Sequence, residues 1–98
     1  MRVLIAEDDV HMQLAVQSCV QNVGYEAVVV SDGLQAVKAL EGNFDLIISD
    51  QRMPNMTGQE LLKYVRDKFP AIPFIMITAH GTITQAVEAM QAGAADFI

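Results

Sequence analysis

Short apolar runs alternate with amphipathic stretches along the whole chain, and this alternation constrains the fold more than any other feature. The runs at 2–6, 25–30, 44–49, 72–77 and 95–98 are nearly continuous in apolar residues, as in Val3-Leu4-Ile5-Ala6, Val28-Val29-Val30 and Leu46-Ile47-Ile48. Strands of that kind are buried on both faces, which suits a parallel sheet covered on each side rather than an antiparallel sheet with one wet face. Helical spacing fills the gaps, over 8–23, 33–41, 57–69 and 82–92. The inward stripes read Met12, Ala15, Val16, Cys19 and Val23; then Leu34, Val37 and Leu40; then Leu61, Leu62, Val65 and Phe69; then Ala86, Val87 and Met90. Gly24, Gly42 and Gly93 sit where helices end, Pro70 stops the third helix, and Thr57-Gly58-Gln59-Glu60 has the spacing of a capping box. Strand and helix thus repeat four times before a last strand. Right-handed crossovers between parallel strands then make the expected class α/β, a doubly wound parallel sheet.

Composition narrows what such a sheet serves. The 98 residues suffice for one small domain, and 52% apolar content excludes disorder. A net charge of −6 disfavours direct contact between this segment and nucleic acid. Cys19 is the single cysteine, so no internal disulfide forms and no Cys/His spacing suggests zinc. No apolar run approaches the roughly 20 residues that span a bilayer, and Met1-Arg2 leads straight into strand and then acids, with no signal peptide. A soluble domain of a reducing compartment is expected.

In open α/β sheets the ligand site lies beyond the carboxyl ends of the strands. The first strand leaves through Glu7-Asp8-Asp9, the third through Ser49-Asp50, and the fourth through Thr78-Ala79-His80-Gly81. Acids so far apart in sequence therefore meet at one edge. Either Asp8 or Asp9 could cap the first helix. Asp50 has no such duty, since the next cap, Thr57, lies seven residues later. Two carboxylates roughly 4 Å apart repel by about 4 kcal/mol at an effective dielectric near 20. Either one takes a proton or a cation sits between them. Hard oxygen ligands with room for water suit Mg²⁺, which usually keeps one or two carboxylates and phosphate oxygens. Such a site positions a phosphoryl group or hydrolyses one. No phosphate-cradling glycine loop is present, Asp50-Gln51-Arg52 lacks the second aspartate of the aspartate-nucleophile phosphatases, and His11 and His80 are isolated. Hydrolase chemistry is therefore the weaker of the two readings.

Three segments together, Val3-Leu4-Ile5-Ala6-Glu7-Asp8-Asp9, Asp45 to Gly58 through Asp50-Gln51-Arg52-Met53-Pro54, and Ile77-Thr78-Ala79, resemble the receiver domain of bacterial two-component response regulators. The resemblance covers the whole chain and implies a flavodoxin-like strand order 2-1-3-4-5. It implies that Asp50 is the phosphoacceptor, with Asp8, Asp50 and the backbone carbonyl of Arg52 on Mg²⁺ and Glu7 acting indirectly. It also implies switch roles for Thr78 and Phe97, with Ala79 small enough to leave room for the phosphoryl group. The implied phosphodonor is a sensor histidine kinase, and the domain is a stoichiometric acceptor rather than a turnover enzyme. The stretch from 80 to 90 and Gly93-Ala94 resemble receivers of σ54-dependent transcription activators. That implies a cytoplasmic protein with a C-terminal output domain, a σ54-type ATPase with a DNA-binding part, and homodimers as one assembly of the family. The family's lysine would fall near residue 100 with a fifth helix beyond it, so the domain over 1–98 is expected to stop short of both. A receiver-like docking module that works without phosphate is the alternative from another class.

Overall fold

The structure, a computed structural model, describes residues 1–77 and the backbone of Asp96 and Phe97. The chain runs β1 (Arg2–Ala6), α1 (Val10–Asn22), β2 (Glu26–Val30), α2 (Gly33–Ala39), β3 (Leu46–Asp50), α3 (Gly58–Lys68), β4 (Phe74–Ile77) and β5 (Asp96–Phe97). The five strands form one sheet in the order β2-β1-β3-β4-β5, and every neighbouring pair is parallel. This is the order that the resemblance implies. The helix expected over 82–92 lies outside the described residues.

Alternation along the strands divides the core into two layers. Leu4, Ala6, Ile47, Phe74 and Met76 pack with Ala36, Leu40, Leu61, Leu62 and Val65, the buried residues of α2 and α3 and the turn after α2. Val3 and Ile5 point the other way, onto Val20 of α1, with Val16, Ala27, Val29, Leu46 and Ile48 half-buried around them. The apolar runs are continuous because each strand feeds both layers.

The helix ends follow the chemistry read in the sequence. Thr57 Oγ1 accepts from the Glu60 N–H while the Glu60 carboxylate accepts from the Thr57 N–H, a complete capping box. Phe69 closes α3 just before Pro70, and its N–H donates to the Val65 carbonyl. Gly24 follows α1 with φ +87°, a left-handed conformation that glycine adopts at little cost.

Several expectations need correction. The first helix begins at Val10 rather than residue 8, because Asp9 caps it, and Val23 is its C-cap. Its inward stripe is turned about the axis: Val16 and Val20 meet the sheet, whereas Met12, Ala15, Cys19 and Val23 are exposed. The Gln13 amide, donating to the Glu7 carbonyl at 2.6 Å, draws that flank of the helix inward instead. In α2, Leu34 is exposed and Ala36 and Leu40 are buried, since Gly33 packs directly against Met56 and fixes the phase. The third strand is displaced from 44–49 to Leu46–Asp50. Phe44 is still buried, but it lies under the Arg2 guanidinium at 4.6 Å, and Arg2 exchanges hydrogen bonds with Asp45 rather than a strand ladder. The fourth strand starts at Phe74 because Pro73 has no N–H to donate, although its carbonyl accepts from Ile47.

Candidate functional site

The parallel register determines what meets at the carboxyl edge of the sheet. Ala6 stands opposite Ser49, so the next residues, Glu7 and Asp50, leave the edge side by side. Asp50 in turn stands opposite Ile77, which puts Thr78 one step beyond the described strand. Carboxylate oxygens of Glu7, Asp8 and Asp50 all lie within 4.8 Å of one another.

Each acid reaches the cluster by a different route. Glu7 is 7% exposed and held through its backbone, its N–H donating to Val30 at 3.0 Å and its carbonyl accepting from Gln13. Asp8 is exposed at the mouth of the cluster, and it is free for that position because Asp9 accepts from the His11 and Met12 N–H groups and caps α1. Asp50 is half-buried at the last position of β3, and its Oδ1 accepts from the Gln51 N–H at 2.8 Å. Asp50 caps no helix, since Thr57 does that for α3.

An open cleft of about 580 Å³ adjoins the exposed acid of the cluster, lined by Asp8, Gln51, Arg52, Met53, Pro54 and Thr57. Next to its lining residue Thr57 the chain makes a close approach at Gly58. A Cβ there would collide with the Asp50 carbonyl oxygen and lie 2.8 Å from Met76 Sδ. The Gly58 N–H donates to the Gln51 carbonyl, and the Gln51 side chain accepts from the Gln59 N–H at 2.7 Å. The loop after Asp50 is thereby fastened to the start of α3.

Electrostatics marks the cluster as strained without a counter-charge. Glu7 is pushed up from 4.5 to about 7, first by burial, then by the charge of Asp50 and a side-chain hydrogen bond with it, and last by Asp8, against a lowering contribution from the Asp9 backbone. Among the described residues, no lysine or arginine forms an ion pair with any of the three acids. Three hard oxygen donors of graded exposure, with Asp8 on the open cleft, fit a hard divalent cation that keeps some of its water.

The structure therefore brings together Glu7, Asp8 and Asp50, and it places Arg52 on the cleft beside Asp8. Thr78 and Ala79 lie outside the described residues. Phe97 is described only as backbone, paired with Met76 in β5. Gln13, Gln51 and Gly58 shape the site without having been singled out for it in the sequence. Each acts through a contact whose partner is fixed only by the folded loop or helix. Among the described residues, no helix is long and apolar enough to cross a membrane.

The chain is similar to known proteins over nearly its whole length. The family model described as the response regulator receiver domain matches residues 3–98. The response regulator protein FleR of Pseudomonas aeruginosa is 39% identical over 98 residues, spanning 99% of this chain and 21% of that protein. The transcriptional regulatory protein ZraR of Klebsiella oxytoca is 36% identical over 97 residues, spanning 98% of this chain and 22% of that protein. The chain thus spans about a fifth of the length of these curated relatives. Among solved structures, the signal receiver domain of a putative Luxo repressor protein from Vibrio parahaemolyticus superposes with a TM-score of 0.91 at 32% identity, covering 99% of this chain and 75% of that one. The chemotaxis protein CheY4 of Vibrio cholerae gives 0.88 at 34% identity, covering 99% and 83%.

Proposed function

The chain belongs to the response regulator receiver domain family, and from that premise we propose that it accepts a phosphoryl group on Asp50 from a sensor histidine kinase and passes the change to an output domain. The observation that carries this reading is the convergence of Glu7, Asp8 and Asp50 within 4.8 Å at the carboxyl edge of the parallel sheet.

The chemistry follows from where each group sits. A carboxylate oxygen of Asp50 attacks the donor phosphorus, a new P–O bond forms, and the P–N bond to the kinase histidine breaks with its electron pair returning to the imidazole. The backbone N–H of Gln51 holds the other oxygen of Asp50, which orients the attacking one. Asp8, Asp50 and the Arg52 carbonyl would hold Mg²⁺, with Glu7 behind them. When bound there, Mg²⁺ supplies positive charge for the phosphoryl oxygens. Burial and the neighbouring Asp50 push the Glu7 carboxyl up to about 7, and a cation held among the three acids would favour its ionised form. Thr78 would donate its hydroxyl to the phosphoryl group, Ala79 would leave room for it, and Phe97 would respond at the edge strand.

The domain acts once per phosphoryl group rather than as a turnover enzyme. The regulatory names of FleR and ZraR and the σ54-activator motifs of the sequence support a cytoplasmic transcription regulator. Its output part would be a σ54-type ATPase with a DNA-binding region. The test is labelling with acetyl phosphate and Mg²⁺. Wild type labels stoichiometrically, and Asp50→Asn does not. Equal labelling of the variant would remove Asp50 from the acceptor role, and multiple turnover of a generic phosphate ester would favour a hydrolase.

A further inference from the structure

The loop between β3 and α3 contains a left-handed residue, Asn55, of a type that reaches that conformation more readily than other side chains yet still at some cost. Met56 N–H donates to the Pro54 carbonyl at 2.7 Å, so the turn closes in three residues, and its central residue Asn55 has φ 68°. A γ-turn with positive φ at its centre is the strained form of that turn. A non-glycine residue stays in such a state only where its surroundings hold it there.

The restraint comes from a different part of the chain. Asn55 Nδ2 donates to Asp32 Oδ2 at 3.0 Å, and the same Asp32 caps α2 by accepting from the Gln35 N–H. Asp32 is buried, and these amide donors hold its carboxyl below the usual range. The next residue, Gly33, lies so close to Met56 that a Cβ would stand 2.6 Å from the Met56 Cβ and 2.8 Å from its carbonyl oxygen. The N-cap and first residue of α2 therefore grip two consecutive residues of the loop. At its other end the loop carries Arg52 and is anchored to Asp50 through Gln51.

We propose that Asp32 and Asn55 are positioning residues for the acidic site, their hydrogen bond holding loop 51–57 in the shape that gives Glu7, Asp8 and Asp50 their affinity for a divalent cation. This rests on the receiver reading of the site. Neither residue touches the cation or the phosphoryl group, so their effect is on affinity and not on the chemistry of transfer.

The test uses calorimetric Mg²⁺ titration, thermal melting with chelator, and acetyl phosphate labelling across Mg²⁺ concentrations. Asn55→Asp sets two carboxylates against each other and weakens Mg²⁺ binding by roughly tenfold, the scale expected when a supporting contact of a metal site is lost. The added negative charge alone would strengthen binding, so the sign separates the two effects. Asp32→Asn combined with Asn55→Asp returns one donor and one acceptor to the pair and brings the dissociation constant back to within about threefold of wild type. Asn55→Gly accepts the left-handed backbone without strain and so keeps the fold, yet it loses the hydrogen bond and also weakens Mg²⁺ binding. At saturating Mg²⁺ all three variants label at close to the wild-type rate. Lower melting temperatures with unchanged Mg²⁺ affinity in Asn55→Asp and Asn55→Gly would make the contact merely structural and overturn the proposal. A wild type that neither binds Mg²⁺ nor labels would overturn the receiver reading as well, which distinguishes the two failures.

Discussion

Replacing Glu7 with glutamine should stabilise the metal-free protein at alkaline pH while weakening its response to Mg²⁺. Glu7 is 7% exposed and its carboxyl is pushed from 4.5 to about 7. A shift of that size corresponds to about 3 kcal/mol if taken at full value. The cluster opens onto water at Asp8, so screening reduces the expected effect to about 1–2 kcal/mol. The sign is set by the raised value. The folded state holds the proton more tightly than the unfolded chain, so stability is fully present below pH 4.5 and is lost as the pH rises through about 7. Glutamine has no proton to lose. With chelator present, the melting temperature of Glu7→Gln should therefore rise relative to wild type by on the order of 5–10 °C between pH 5 and pH 8. Adding Mg²⁺ at pH 8 should narrow that gap, because a bound cation stabilises only the form that binds it, by about 2.7 kcal/mol at one hundred times the dissociation constant. Parallel melting curves for the two proteins across this pH range would refute the assignment of the strain to Glu7.

Other perturbations separate the site from its scaffold. Gly58→Ala forces a Cβ against the Asp50 carbonyl and Met76, and should cost about 1–3 kcal/mol in urea unfolding while also slowing labelling of Asp50. Asp9→Ala removes the α1 cap and should cost about 1 kcal/mol with Mg²⁺ affinity nearly unchanged, whereas Asp8→Ala should leave urea stability intact and weaken Mg²⁺ binding seen by calorimetry. Thr57→Ala breaks the capping box at a similar cost of about 1 kcal/mol, and Thr57→Asp, which can still cap, should recover most of it in the same assay. Leu62→Ala empties a fully buried position between α3 and the sheet and should cost about 2–5 kcal/mol in urea without shifting the Mg²⁺ concentration needed for labelling.

The sheet was legible because its signals are local. A run such as Leu46-Ile47-Ile48 carries its burial on both faces in its own residues, and Thr57 to Glu60 carries its cap within four positions. The clustering of Glu7, Asp8 and Asp50 was legible for a related reason, since parallel strands of similar length deliver their last residues to one edge. What could not be read depends on contacts between distant segments. Cys19 and Ala15 fit an apolar stripe as well as Val20 does, and the choice is made by the Gln13–Glu7 contact, which no periodicity records. Leu34 looks like a core residue until Gly33 is seen to meet Met56. The Asp32–Asn55 bond joins residues 23 apart, and each of them alone reads as an ordinary turn residue.

Three consecutive acids make the same point about how position assigns chemistry. Glu7, Asp8 and Asp9 leave one strand in succession, yet one is buried behind the site, one stands exposed at the cleft and one caps a helix. Alternation along the departing strand turns Glu7 to the side of Ile5 and Asp8 away from it. The third residue stands just before the helix, and the orphan N–H groups of His11 and Met12 claim Asp9 as their cap. The cap thus removes one negative charge from the cluster by giving it hydrogen bonds of its own. The remaining strain collects at Glu7, where burial and the neighbouring Asp50 make a proton or a cation the only relief. The register that gathers the three carboxylates therefore also raises the Glu7 carboxyl, so their spacing and their mutual repulsion have one structural origin.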